Sequence, residues 1–436
     1  VTPAEWQRRR RALLKSIGPA GLAILPAASE VIRNRDVHYP FRQSSDFTYL
    51  TGFPEPAAVA VFAPGRKEGE FILFCRPRDP EREQWDGRRA GVEGAVATYH
   101  VAQAYPLSDL DGLMPGLIDG RDRLFYPIGA DPAFDARVLG WVNQVRANVR
   151  KGASPPETFV TIEAVLHEQR LRKSHSEIKR MRRAARISAE AHRQLMRRCR
   201  PGLVESELEV EFQHHCALQG ARCQAYPTIV GGGVNGCILH YVENDARLAD
   251  GDLVLVDAGC ELGGYASDIT RTFPVNGRFS PPQRELYELV LAAQRAAIAQ
   301  ARPGNRWIDP HEAALKVLTK GLIRLGVLAG KPKQLIKDEA YKPYYMHRTG
   351  HWIGMDVHDV GHYKQDGAWR ILEPGMVLTV EPGLYMPATD AVPAPYRSIG
   401  IRIEDDVLIT EDGNEVLSAA APKDPDAIEA VMAGGS

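Results

Sequence analysis

Cysteine is scarce in this sequence, long apolar runs are absent, and neither sign of charge prevails. Each lack closes off a class of protein. Six cysteines, Cys75, Cys199, Cys216, Cys223, Cys237 and Cys260, are spread over 436 residues, no two in a C-x-x-C spacing. That is too sparse for a disulfide framework and predicts reduced thiols packed as small hydrophobes. No apolar run reaches the ~18 residues of a membrane helix. The opening stretch through Trp6-Gln7-Arg8-Arg9-Arg10 lacks the apolar segment of a secretory signal. The expectation is a cytoplasmic protein with no membrane partner. Lysine plus arginine number 54 against 55 aspartate plus glutamate, a net charge of −1, which gives no electrostatic reason to expect nucleic acid as a partner. A chain that is 44% hydrophobic and 25% charged is globular rather than disordered. Its length exceeds the ~250–300 residues of one large core, so two domains are expected.

The first part reads as mixed α/β. A basic amphipathic helix over about Pro3 to Ser16 leads into the apolar run Leu22 to Leu25. Further strand-like runs are Ala57 to Phe62, Glu70 to Cys75 and Arg123 to Tyr126, with helical patterns near Leu107 to Leu117 and Phe134 to Val149. Lys151-Gly152-Ala153-Ser154-Pro155-Pro156 reads as the linker. The second part repeats an order. Helices over Ser176 to Cys199 and Glu205 to Gln219 precede strands from Tyr226 to Phe273. Helices over Pro281 to Arg302 and Pro310 to Leu325 then precede strands from Tyr344 to Ile409. An echo supports a duplication: Gly251 to Gly259 resembles Gly375 to Gly383, which sets Asp257 in register with Glu381.

The acids of this second part define a demand. Leu253 to Asp257 is an apolar strand ending in a carboxylate, and Tyr265 to Phe273 carries Asp268 in its middle. A hairpin turn centred between Leu262 and Gly263 sets Asp257 directly opposite Asp268, with Cβ atoms ~5 Å apart. Like charges so placed need a proton or a cation between them. Met376 to Tyr385 is apolar except for Glu381, and the alternation of Gly400 to Val407 puts Arg402 and Glu404 on one face. There the guanidinium can orient the Glu404 carboxylate. Between the acidic pairs stand His347, His351 and His358. His347 and His351 have the i, i+4 spacing of H-E-x-x-H, but Arg348 replaces the glutamate and Gly350 spoils a helix, so the zincin reading fails. An oxygen-rich set with one or two imidazoles and no thiolate favours Mn²⁺, Mg²⁺ or Co²⁺ over structural zinc. Four carboxylates outweigh one divalent ion, and a two-metal site ~3.5–4 Å across fits the charge better.

With these residues in hand, Val165 to Ser418 resembles the pita-bread metallopeptidases, most closely the aminopeptidase P (Xaa-Pro aminopeptidase) branch. The stretches that carry the resemblance are Ile238 to Asn244, Val256 to Cys260, Ser267 to Phe273, His351 to Gly361, Val380 to Tyr385 and Gly400 to Asp406. Arg33-Asn34, Tyr39 to Phe47 and Leu50 to Phe53 extend it to the N-terminal part. The resemblance implies an α/β (α+β) chain with a creatinase-like α/β domain over 1–164. A pita-bread catalytic domain, with duplicated helix-pair and antiparallel-sheet halves, follows over 165–436. It implies hydrolysis of the bond between an N-terminal residue and a following proline in peptide substrates. Two divalent ions, Mn²⁺ first among them, are implied on Asp257, Asp268, His351, Glu381 and Glu404, with Asp268 and Glu404 bridging. The implied catalytic residues are His240, His358, Glu381 and Arg402. His240, His347, His358 and Tyr385 are implied to touch substrate. A homo-oligomer, dimer or tetramer, is implied. The aromatic and basic cluster Trp85-Asp86-Gly87-Arg88-Arg89 reads either as a contact to substrate, in the same or a neighbouring subunit, or as a solvated loop. Arg348-Thr349-Gly350 departs from the small or apolar residues of close relatives, which bears on pocket shape rather than on the metal ligands. The rival readings are prolidase on the same fold, methionine aminopeptidase, and a metal-free peptide-binding module of the same architecture.

Overall fold

The short apolar runs of the N-terminal part become one mixed sheet. Residues 2–434 are described in the computed structural model. Val1 and Gly435-Ser436, the outermost residues of the two expected domains, lie outside the described residues. Strands β1 (Gly21–Pro26), β2 (Val59–Phe62), β3 (Phe71–Cys75), β4 (Gln103–Pro106), β5 (Arg123–Tyr126) and β6 (Thr158–Thr161) lie in the order β4-β3-β2-β1-β5-β6. The β1–β2 and β2–β3 pairs are antiparallel and the other three parallel. Both β2 and β3 are buried at every position, so they read as unbroken apolar runs rather than alternating ones. The basic helix forms as α1 (Pro3–Ile17), with Leu13 and Ile17 buried. Helix α2 (Pro132–Ala147) starts where the Asp131 carboxylate accepts the N–H groups of Ala133 and Phe134. Its Phe134, Val138, Trp141 and Val142 join the core of this sheet. Trp85 stands exposed on the short helix Pro80–Asp86, just before Arg88.

The Lys151–Pro156 stretch is not the junction between the two parts. Strand β6 follows it and pairs with β5, so the first sheet still lacks its edge at that point. The division into two compact units falls between Arg170 and Leu171, at the end of helix α3 (Glu163–Leu171). Glycine and proline mark turns, and turns occur within a unit as readily as between units.

From Leu171 on, the order is helix pair, sheet, helix pair, sheet. Helices α4 (His175–Arg198) and α5 (Glu205–Leu218) precede β7 (Ile229–Gly232), β8 (Leu253–Asp257) and β9 (Thr270–Pro274), which pair antiparallel in that order. Helices α6 (Pro281–Ile298) and α7 (Asp309–Arg324) precede β10 (Val377–Val380), β11 (Gly383–Tyr385), β12 (Gly400–Arg402), β13 (Asp405–Ile409) and β14 (Asn414–Val416). Here the sheets are β10-β13-β14 and β11-β12. Helix α8 (Pro425–Met432) follows. The helices begin where caps satisfy their first N–H groups. Ser174 and Glu177 cap α4 reciprocally, and Gln283 accepts the Ser280 N–H ahead of α6. Along α4 the buried Met181, Ala184, Ala185, Ser188, His192 and Leu195 recur at three- and four-residue steps. Ala184, Ile187, Ala191 and Leu195 of this helix join a core shared by both sheets, with Phe212, Val254, Phe273, Leu286, Leu318, Leu378 and Val407. No described helix is long and apolar enough to cross a membrane.

Candidate metal centre

Each expected acid sits where a strand ends or breaks, because there the chain leaves the ladder and a side chain can turn out of the sheet. Asp257 is the last residue of β8, whose other four residues are apolar and buried. Its partner across the ladder is Thr270, not Asp268. The turn lies one residue later than expected, at Gly263 and Gly264, both with positive φ. The connection also detours, pairing Cys260–Glu261 with Cys223–Gln224. Asp268 therefore precedes β9 instead of lying mid-strand. At Gly259 the two arms touch, since a Cβ there would meet Ser267 O at 1.8 Å.

The two aspartates still converge, on a residue the sequence reasoning missed. Tyr226 Oη lies 2.7 Å from Asp257 Oδ1 and 2.5 Å from Asp268 Oδ1. One hydroxyl hydrogen faces two carboxylates there. Tyr226 stands three residues before Ile229, which pairs with Asp257, and only that pairing would have pointed to it.

Glu381 and Glu404 occupy breaks in strands that the sequence presents as continuous. Glu381 follows β10, and Pro382, which has no N–H to donate, separates it from β11. Glu404 lies between β12 and β13. Its N–H donates to Thr270 O, and the Thr270 hydroxyl donates to its Oε2 at 2.6 Å, so the second half is tied to the first through Thr270. Arg402 does not orient Glu404, because the break at Ile403 ends the alternation that put them on one face. Instead Arg402 Nη2 donates to Asp257 Oδ2 at 2.6 Å, Nε to Thr270 Oγ1, and Nη1 to Tyr385 Oη at 2.9 Å.

The histidines fall into place by their second nitrogens. His351 Nδ1 faces the Trp352 carbonyl at 3.0 Å and so carries the hydrogen. That leaves Nε2 toward the acids, 3.3 Å from Asp268 Oδ2 and 3.8 Å from Glu381 Oε1. One ligand atom each from Asp268, His351 and Glu404 lies within 4.8 Å of the others. The His358 ring packs edge-on to His351, centroids 4.4 Å apart. His347 Nδ1 donates to Arg348 O at 2.7 Å, and its Nε2 accepts from Tyr385 Oη at 2.8 Å. His240 and His358 are exposed. With His347 they line a cavity of about 430 Å³ that also holds the five expected ligands, Tyr226, Arg402 and the apolar Ile229, Leu239, Val242 and Val357. Tyr385 stands behind this wall, reaching it through His347 and Arg402.

Electrostatics define what the cluster needs. Burial pushes Glu381 up to about 7, against the pull of His351 and Arg402. Burial and then the surrounding acids push Glu404 far above the carboxylate range. Asp257 is raised by burial despite Arg402, whereas His351 and Tyr226 outweigh burial at Asp268 and lower it. Burial opposes charge on His351, yet Asp268 and Glu381 hold its imidazole at about 9. Four acids thus face one guanidinium and one imidazole. An oxygen-rich, thiolate-free set with that deficit fits divalent cations.

A buried network backs Glu404. Arg271 Nη1 donates to Glu404 O at 2.5 Å, its Nη2 to Asp405 Oδ1 at 2.7 Å and to Ala421 O, and its Nε to Pro422 O. Lys423 Nζ closes on Asp405 Oδ2 at 2.5 Å. Burial opposes ionisation of Asp405, but Arg271 and Lys423 hold it well below the usual range.

The chain is similar to known proteins over nearly its whole length. The family model for metallopeptidase family M24 matches residues 179–411, and that for the aminopeptidase P N-terminal domain matches residues 6–126. The Xaa-Pro aminopeptidase of Escherichia coli (strain K12) is 46% identical, over 99% of this chain and 98% of its own. Among solved structures, Pseudomonas aeruginosa aminopeptidase PepP superposes with a TM-score of 0.98 at 55% identity, covering 100% of this chain and 98% of that one. A zinc-substituted E. coli aminopeptidase P in complex with product superposes at 0.96, with 46% identity and coverage of 100% and 99%.

Proposed function

Because the chain belongs to metallopeptidase family M24, in its aminopeptidase P branch, we propose that it removes the N-terminal residue from peptides with proline in second position. The observation that carries this reading is the convergence of Asp257, Asp268, Glu381 and Glu404 on His351 in one cavity. We assign these five as ligands of two divalent ions, with Mn²⁺ the natural occupant of an oxygen-rich set holding one imidazole. Such ions, when bound, lower the pKa of water and polarise the scissile carbonyl.

The chain's own residues do the rest. Arg402 and Tyr226 fix the Asp257 carboxylate, and Thr270 fixes Glu404. Arg402 also orients the Tyr385 hydroxyl, which holds His347 in its neutral form with the hydrogen on Nδ1. Burial and Arg402 keep that imidazole uncharged, pushed down to about 3. His358, on the rim of the cavity beside His351, donates to the carbonyl oxygen as it gains charge. Glu381 accepts a proton from the attacking water and returns it to the proline nitrogen as the C–N bond breaks. Like any amide nitrogen, this one must be protonated to leave as a neutral amine, and proline's differs only in bearing no hydrogen in the substrate. His240 lines the same cavity and contacts the peptide. We further propose that the catalytic part begins near residues 165–171 and that the protein acts as a homo-oligomer.

The test is cleavage of Ala-Pro-Ala by metal-stripped protein with and without added Mn²⁺. Activity should appear only with metal. Glu381→Gln should lower kcat by ~10²–10⁴-fold. Near-native turnover by that variant with metal bound would overturn its role.

A further inference from the structure

The cavity wall carries two guanidinium groups, and only one is committed. Arg402 is spent on Asp257, Thr270 and Tyr385. Arg348 lines the same cavity and is exposed. Among the described residues its side chain makes no hydrogen bond or ion pair. Its backbone is held on both sides. Its carbonyl accepts from His347 Nδ1. The next residue, Thr349, is buried, with its hydroxyl 2.8 Å from His311 Nδ1 and 2.6 Å from Tyr345 Oη. Gly350 is wedged so tightly that a Cβ would meet Thr379 O at 2.0 Å. A free cation is therefore presented from a fixed point of the backbone, and only its side-chain rotamers remain to be ordered on binding.

Charge then sets the direction of the peptide. Arg348 repels the substrate's α-ammonium and attracts a carboxylate, which favours the peptide's carboxylate end beside it. A carboxylate two residues beyond the scissile bond lies within ~7 Å of it along an extended chain. A cavity of about 430 Å³ suits a short peptide. We infer that Arg348 is a specificity residue that recognises the free carboxylate of Xaa-Pro-Yaa peptides. This rests on the proposed peptidase function and goes beyond it to substrate length.

The experiment compares kcat/KM for Ala-Pro-Ala, Ala-Pro-Ala-amide and Ala-Pro-Glu-amide on the Mn²⁺-loaded wild type, Arg348→Gln and Arg348→Lys. The wild type should favour the free acid over its amide by about two- to fivefold, mostly through KM, as suits a partly exposed ion pair. In Arg348→Gln that ratio should fall to about one, and Arg348→Lys should restore part of it. If Ala-Pro-Glu-amide recovers the preference, the carboxylate chemistry stands and its source extends to acidic side chains. Equal rates for acid and amide in the wild type would overturn the inference and leave the peptidase reading intact. So would an Arg348→Gln loss that falls on both peptides alike. No cleavage of any of the three peptides with metal present would overturn both.

Discussion

Tyr226 shows how one hydroxyl can tie two buried carboxylates together. Its single hydrogen is shared by Asp257 and Asp268. Tyr226→Phe should destabilise the metal-free protein by about 1–3 kcal/mol, the cost of leaving buried carboxylate oxygens without a donor. With Mn²⁺ bound the loss should be smaller, because the cation takes over the compensation. Thermal unfolding with and without Mn²⁺ checks this, and equal shifts would count against it. Gly350→Ala should cost about 1–3 kcal/mol, since its Cβ would collide with backbone at Thr379 rather than with a side chain that can swing away. The same change should weaken Mn²⁺ binding in a titration, because His351 is the next residue. At this scale the acids and histidines were legible from residue type and spacing. Tyr226 and Thr270 were not, because their importance comes from which residue lies opposite which.

The strands carry the second lesson. The sequence presents Met376 to Tyr385 and Gly400 to Val407 as continuous, yet both break at the acid. Pro382 marks one break for a reader who weighs its missing N–H. The break at Ile403-Glu404 carries no such mark, because the group that holds it open is Arg271 on β9, more than a hundred residues away in the chain. Arg271→Met should destabilise the protein by about 3–5 kcal/mol, since Asp405 keeps only Lys423 as a cationic partner in a buried site. It should also weaken Mn²⁺ binding, because the Glu404 carbonyl loses its anchor. Lys423→Met, which leaves Arg271 on Glu404, should destabilise less and spare the metal affinity. Denaturant midpoints and Mn²⁺ titrations of the two variants separate these outcomes. Helices were more legible than strands, since caps such as Ser174 with Glu177 and stops such as Pro201 are local signals.

The whole molecule responds to pH through histidines held neutral. Burial pushes His311 down to about 4, with Arg348 adding to the effect, and burial pushes His192 to about 3. An unfolded histidine titrates near ~6.5. Between that value and the folded one the unfolded chain binds more protons, so stability falls as pH drops from about 6.5 towards 4 and His311 contributes nothing further below that. Each such group adds a slope of at most ~1.4 kcal/mol per pH unit. Denaturant midpoints of the Mn²⁺-loaded protein at pH 7 and 5 should show the loss, and His311→Gln should reduce it; a flat wild-type profile would refute it. The duplicated helix-and-sheet order was legible at this scale because it is written in periodicity. The junction was not, because no local composition records that β6 joins the first sheet before the chain moves on.

The origin of the five assigned ligands has a biosynthetic consequence. Asp257 and Asp268 are made in the first half of the unit that begins at Leu171, and His351, Glu381 and Glu404 in the second. The Glu404 carbonyl is held by Arg271, which belongs to the first half. A growing polypeptide on the ribosome thus holds only fragments of the assigned set until Glu404 has emerged. Capture of divalent metal by the full set then has to follow the synthesis of both halves and their coming together.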